Sequence, residues 1–239
     1  MTHGTHGTPG TPGTSGPHAT HAAFEAALHA LRVWDTDLPA FDPLTAPDDP
    51  LDLFHAWFLD AAEAGQPEPH TMQLATAGAD GRPDVRTVML HGADGHGWRF
   101  ATHSTSAKGR QLAARPYAAL HFYWPLRGRQ VRLRGPVAPG TPEEARADLR
   151  ARSTGALAAA LTGRQSAPLA SPRELAEASA RAWERAGSDP AAEAPTWTVY
   201  RLAPREAEFF QGDARRRHVR LRYDRASSAA PWSRGLLWP

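Results

Sequence analysis

The sequence predicts an α+β fold in which an antiparallel barrel carries peripheral helices. Three observations predict it. From residue 70 onward, apolar residues alternate over short stretches divided by tight-turn signals, the mark of strands joined directly to their neighbours. Elsewhere the apolar spacing becomes helical and opens on capping residues. A chain of 239 residues, 41% hydrophobic, suffices for one substantial core with an added helical layer.

Residues 1 to about 20 are Thr, Gly, Pro and His in near-repeats ("THGTHGTPGTPGT"), too poor in apolar surface to offset the entropy of ordering. They are expected to form a disordered tail, leaving 21–239 as a single domain. His3, His6, His18 and His21 could collect a metal ion, but nothing fixes their geometry and no metal site is expected. The first firm element follows Asp49, which can cap a helix with Pro50 at its first position. Leu51, Phe54, Trp57, Phe58 and Ala61 then recur at helical spacing until Gly65, so this helix should pack by its Trp57 face.

"TMQLATA" (71–77), "DVRTVMLHG" (84–92), "WRFAT" (98–102), "YAALHFYW" (117–124) and "RQVRLRGPVA" (129–138) read as strands, separated by "GADGRP", "GADGHG" and "PLRG". One helix interrupts them: "STSAKGRQLAAR" starts at a Ser/Thr cluster and must stop near Pro116. "TPEEARADLRAR" and "SPRELAEASARAWERAG" each open with a capping-box pattern, Thr141 with Glu144 and Ser171 with Glu174, so two helices cross the middle of the chain. "TWTVYRLA", "EAEFFQG", "RHVRLRY" and "PWSRGLLW" return to strands.

Composition excludes several classes of function. No run of 18 apolar residues and no basic-then-apolar leader is present, so neither a membrane span nor a signal peptide is expected, and the location is expected to be cytoplasmic. The absence of cysteine excludes disulfides, iron–sulfur clusters and thiol nucleophiles, so any redox chemistry needs a borrowed cofactor. The net charge is only +2, with basic residues gathered in "RRRHVRLRYDR", Arg215 to Arg225. Read as a strand, that run sends Arg216, His218 and Arg220 to one face. No adjacent aromatic platform is evident for stacking bases, so a local anion site is expected and no nucleic-acid partner.

Chemistry gathers around "RTVMLHG", residues 86–92, with a guanidinium at one end and an imidazole near the other. Arg86 lies on a strand and Lys108 in the first turn of a helix whose N-terminal amides carry partial positive charge. Two cations and a helix end make a cradle for a phosphate.

The motifs "RTVMLHG", "FATHSTSAKGR", "FYWPLRGRQVRLRG", "RQS", "EFFQG" and "RRHVRLRY", in this order and at these separations, resemble the pyridoxamine 5'-phosphate oxidase family of FMN-binding split β-barrel flavoproteins. The resemblance spans about residues 40 to 239 and implies a homodimer with two shared FMN sites. It implies that Arg86, Lys108 and Thr102 hold the flavin phosphate and ribityl chain, that the backbone of Val88, Met89, Leu90 and His91 runs along the ring, and that Gln130 reaches the ring's polar edge. Gln165 and Ser166, with Phe210 and Arg220, are implied to come from the other subunit. Arg216 and His218 match the family's active-site Arg and His, which position the substrate, with proton transfer open to His218.

The departures from the pattern concern substrate. Members that oxidise phosphorylated B6 vitamers place a Lys after the "RxVLL" run and a Tyr, an Arg and a Ser around the substrate phosphate, whereas this chain has His91, Asp148, Arg152 and Ala156. Only Arg152 survives, and Asp148 is expected to repel a phosphate. Ala107 replaces an Arg before the helix Lys, and Phe210 replaces another aromatic. "FATHSTSAKGR" and "GRQS" resemble the flavin oxidases of phenazine biosynthesis. The implied function is an FMN-dependent oxidase of a small heterocycle or amine, with dioxygen as acceptor. The alternatives are an authentic pyridoxamine or pyridoxine 5'-phosphate oxidase and a non-catalytic flavin-binding protein.

Overall fold

A computed structural model describes residues 17–34 and 37–239. Most of the expected tail, residues 1–16 with His3 and His6, lies outside the described residues. Residues 17–20 do not continue it: they open a helix, α1 (Pro17–Ala30), that the sequence reading does not contain.

The α+β expectation holds. Helix α2 (Pro50–Glu63) begins where Asp49 accepts from the Leu51 amide at 2.8 Å, with Pro50 in the first turn. Strands β1 (Thr71–Ala77), β2 (Pro83–Met89), β3 (Gly92–Asp94) and β4 (Gly97–His103) lead to α3 (Ala107–Ala114), then β5 (Tyr117–Trp124) and β6 (Arg129–Pro139). Three helices follow: α4 (Pro142–Arg150), α5 (Thr154–Thr162) and α6 (Pro172–Ser188). The chain ends in β7 (Trp197–Leu202), β8 (Glu206–Gln211), β9 (Val219–Asp224) and β10 (Ser233–Leu237).

All pairings are antiparallel. One run of strands has the order β10-β9-β8-β6-β5-β1-β2, and β3, β4 and β7 branch from β6. The split occurs within β6. Its first half pairs with β8 up to Arg134, and its last three residues pair with β7. Gly135 sits at the change of partner, where a Cβ would lie 2.3 Å from the Ala203 carbonyl oxygen. Only glycine admits the β7–β8 link so close, and that contact lets one strand serve two sheets.

Alternation decides the core. Leu74, Leu120, Leu133 and Phe209 point inward and are fully buried, and α2 fills the interior by its expected face. Phe54 meets Phe122 and Trp98 at ring centroids of 5.0 and 5.4 Å, and Trp57 meets Phe209 at 5.2 Å. Helices α4 to α6 form a satellite cluster around Leu149, Leu157, Ala158 and Ala182.

Three sequence expectations need correction. Three helices, not two, cross the middle: α5 is so rich in Ala and Leu that it shows no polar period. The Thr141–Glu144 capping box is complete, but at α6 Glu174 turns back to the Ala170 amide instead of that of Ser171, leaving the box half made. Strand β9 begins at Val219, so Arg216 and His218 lie in the preceding turn and have no strand face. Asp213 builds that turn, its Oδ1 accepting from the Arg215 amide at 2.6 Å, and Arg216 takes a φ of 64°.

Candidate functional site

The cations expected to hold a phosphate sit side by side on the inner face. Arg86 shares that face with its cross-strand partner Leu74 and is fixed on every side. It donates to Leu74 O at 3.1 Å, Thr76 Oγ1 at 2.6 Å, Asp84 Oδ2 at 2.5 Å and Gln111 Oε1 at 2.8 Å. Lys108, 8% exposed, donates to Thr102 Oγ1 at 3.3 Å and Gln165 Oε1 at 3.1 Å, while Thr102 itself donates to Gln165 at 2.8 Å. Those partners are neutral. Burial and the Arg86 charge push the lysine pKa down against the opposing pull of Asp84, the one carboxylate that Arg86 already holds, so two cations here share a single negative charge. An oxyanion from solution would supply a second, and the donor set fits a phosphate ester.

Helix α3 brings Lys108 here because Ser106 caps it at the end of the β4 turn, accepting from the Gly109 amide at 3.2 Å. A Cβ on Gly109 would lie 2.3 Å from Ser104 O, so any other residue would push the helix, and Lys108 with it, off the strand end. Gln165 stands in a turn where Arg164 and Ser166 take φ of 50° and 68°, and its Oε1 is placed by the bonds from Lys108 and Thr102. Ser166 is exposed beside it. Gln165 was expected from a second subunit, yet it is already bound to this chain's Lys108 and Thr102. A single turn following α5 delivers it, and α5 itself was missing from the sequence reading.

A second group lies on the outer face of the same sheet. Gln130 pairs with Phe210 across β6–β8, and Phe210 with Arg220 across β8–β9. These three, with His121, Arg132 and Glu208, line a cavity of about 330 Å³. Glu208 anchors Arg220 at 2.8 Å and also takes Arg132. Phe210 and Arg220 therefore stand beside this chain's own Gln130, on the face away from Arg86. The pleat sends residue 130 to the face opposite residues 74 and 86, so one chain cannot offer its two groups to one face.

Arg216 and His218 adjoin this outer group through Trp34, a residue the sequence reading passed over. The Trp34 ring lies 6.0 Å from Phe210 and 4.9 Å from His218, with the Arg216 guanidinium 5.7 Å from its centroid. His218 Nδ1 accepts the Asp213 amide at 3.1 Å, which leaves Nε2 to carry the proton of the neutral ring.

The four positions of the family's substrate-phosphate grip hold something different. His91 Nδ1 lies 2.7 Å from Asp148 Oδ1, and Arg152 donates from Nε to Asp148 Oδ2 at 3.0 Å. Arg152 also reaches His91 Nε2 at 3.1 Å and stacks at 4.5 Å over Trp197, whose indole donates to Asp148 at 2.8 Å. Burial opposes the Asp148 charge, but the bonds from His91 and Trp197 and the Arg152 charge outweigh it and lower its pKa to about 2. Asp148 is thus a partner of Arg152, correcting the expectation of an unopposed repulsive carboxylate. Ala156 contributes only its amide, donated to the α5 cap Ser153 at 3.3 Å. Trp197 touches His103 at 5.2 Å, tying this triad to the Thr102–Lys108 side.

Val88 and Leu90 pack against the core while Met89 is exposed. No helix among the described residues is long and apolar enough to cross a membrane, and none of their His, Asp and Glu residues cluster to hold a metal.

Comparison with known proteins identifies the fold and the family. Residues 58–187 match the family described as pyridoxamine 5'-phosphate oxidase, and residues 197–239 match the pyridoxine 5'-phosphate oxidase C-terminal dimerisation region. The chain is 44% identical over 197 residues, 81% of its length and 90% of the relative's, to the pyridoxine/pyridoxamine 5'-phosphate oxidase of Pseudomonas fluorescens SBW25. Its fold resembles PhzG from Burkholderia lata 383, solved with tetrahydrophenazine-1-carboxylic acid, at a TM-score of 0.79 and 31% identity, covering 85% of this chain and 99% of that one. A pyridoxamine 5'-phosphate oxidase-related FMN-binding protein of Nostoc punctiforme shares the fold at a TM-score of 0.65 and 22% identity, covering 80% of this chain and 98% of that one.

Proposed function

From a chain that belongs to the pyridoxamine 5'-phosphate oxidase family, and is an oxidoreductase of that family, we propose an FMN-dependent oxidase of an unphosphorylated small heterocycle or amine, of the phenazine-like kind. The observation that carries the substrate reading is the closed triad: Asp148 neutralises Arg152, the only inherited phosphate ligand, and His91 completes the pair. A substrate dianion would have to break a partly buried ion pair to reach that guanidinium, which costs about 1 to 2 kcal/mol.

Arg86, Lys108, Thr102 and Gln165 would hold the FMN phosphate and ribityl chain, with Ser166 beside them, and Gln130, Phe210 and Arg220 would meet the ring. These groups occupy opposite faces of one sheet, so we assign each site to two chains, the phosphate side from one and the ring side from its partner. FMN held there would supply the two-electron chemistry, hydride acceptance from the substrate and reoxidation by dioxygen with release of hydrogen peroxide. Arg216 orients the substrate, and His218, with its proton on Nε2, donates a hydrogen bond or a proton there.

Steady-state oxidation of pyridoxamine 5'-phosphate tests this. Without two or three charged bonds, its kcat/KM should be about a thousandfold below that of a family member with the full grip. Introducing His91→Lys, Asp148→Tyr and Ala156→Ser together should restore much of the loss. Efficient turnover by the unaltered enzyme would overturn the reading in favour of vitamin B6 salvage, the activity named for the Pseudomonas relative. Flavin binding without turnover on any substrate panel would favour a non-catalytic role.

A further inference from the structure

The outer-face cavity contains a hydrogen-bond relay that no part of the flavin reading requires. His121, on β5, stands between two glutamines. Its Nδ1 lies 3.0 Å from Gln73 Oε1 on β1, its Cα partner, and its Nε2 lies 3.1 Å from Gln130 Oε1 on β6. All three side chains are partly buried, and His121 and Gln130 line the cavity.

An amide presents a carbonyl on one side and an NH2 on the other, so whatever engages one end decides what the other end offers. A neutral imidazole donates from one nitrogen and accepts at the other. With the proton on Nε2, His121 takes the Gln130 carbonyl, and Gln73 turns its NH2 toward Nδ1. A protonated ring donates to both carbonyls. In both states the Gln130 NH2 is left facing the cavity, and only the Nδ1–H tautomer reverses it. The other polar groups on the cavity wall are committed, Arg132 and Arg220 both being held by Glu208.

We propose that His121 is a positioning residue that turns the Gln130 amide so that its NH2, rather than its carbonyl, meets the ligand at this wall. The proposal rests on the assignment of this wall to the flavin ring. The pyrimidine edge of a flavin carries two carbonyl oxygens and ring nitrogens that gain negative charge on reduction, and a fixed donor favours that state. His121 then acts on both FMN affinity and flavin potential without touching the cofactor.

The test is to titrate FMN into the full-length apoprotein by fluorescence and to measure the bound flavin's midpoint potential. The proteins compared are the unaltered chain, His121→Leu, Gln130→Leu, the double variant and His121→Gln, whose NH2 can still reach the Gln130 carbonyl. His121→Leu should weaken FMN by roughly three- to tenfold, the range of one net hydrogen bond, and make the potential more negative. Gln130→Leu should do the same, the double variant should be no worse than the poorer single, and His121→Gln should recover most of both losses. Unchanged affinity and potential in His121→Leu, or losses that add in the double variant, would overturn the proposal while leaving the cofactor assignment standing. An unaltered protein that takes up no FMN would overturn both.

Discussion

The inner cluster around Lys108 and the outer wall around Gln130 belong to one sheet but are built on opposite physical terms. The inner cluster surrounds a buried cation with neutral oxygens inside a single chain. The outer wall is partly open and pairs its own charges, Arg132 and Arg220 against Glu208. One side sets two cations, Arg86 and Lys108, against the single carboxylate of Asp84, and the other is open at its surface. On the proposed reading, such a site would separate holding from reacting: the cofactor's charge would be met where water is excluded, while the substrate would meet residues on a surface that a second chain can complete.

The comparison breaks most sharply at Lys108. Lys108→Met should weaken FMN about a hundredfold by removing a charge-assisted bond, yet leave the apoprotein as stable or slightly more so, because the desolvated ammonium is gone. Equilibrium FMN titration and apoprotein melting check the two halves. Equal losses in both would make Lys108 a structural residue.

Arg216→Ala should lower kcat/KM about tenfold or more while the FMN dissociation constant stays within about twofold, since Arg216 touches Trp34 and not the inner cluster. Parallel loss of flavin would move Arg216 into the cofactor site. The smallest expected effect is at Asp148. Its pKa is lowered from 3.8 to about 2, so its contribution to stability is present above about pH 4 and is lost as pH falls toward 2. Asp148→Asn should cost about 1 to 2 kcal/mol at pH 7, after allowing for solvent screening, and only a few tenths of a kcal/mol near pH 2, as read by urea unfolding at each pH.

What the sequence made legible was periodic or local. Alternation located nearly every strand, and "STSAKGR" located the α3 cap and Lys108 because a Ser/Thr start, a helix and a cation lie within a few residues. Alternation failed at Arg216 and His218, where an Asp213 turn overrides it, and at α5, whose Ala-rich face gives no period. Of the Asp148 partnership only Arg152, at i,i+4, was open to reading; His91 and Trp197 were not. His91 lies 57 positions and Trp197 49 positions from Asp148, so the carboxylate was read as repulsive where three-dimensional pairing opposes its charge. His121 and Trp34 were missed for the same reason: each matters through neighbours on other strands or on a distant turn.

The placement of Arg86 and Gln130 on opposite faces also makes the proposed enzyme a genetic-complementation system. A Lys108→Met chain spoils only the half-site it gives to one pocket, and an Arg216→Ala chain spoils only the half-site it gives to the other. When the two impaired proteins are mixed at an FMN concentration too low to load Lys108→Met and allowed to exchange partners, each hybrid pair unites both lesions in one pocket and leaves the second pocket wholly unaltered. Random re-pairing makes half the dimers hybrids, so activity should rise from a low residual level to about a quarter of the unmutated level. If every chain kept its site to itself, the mixture would stay as inactive as its parts.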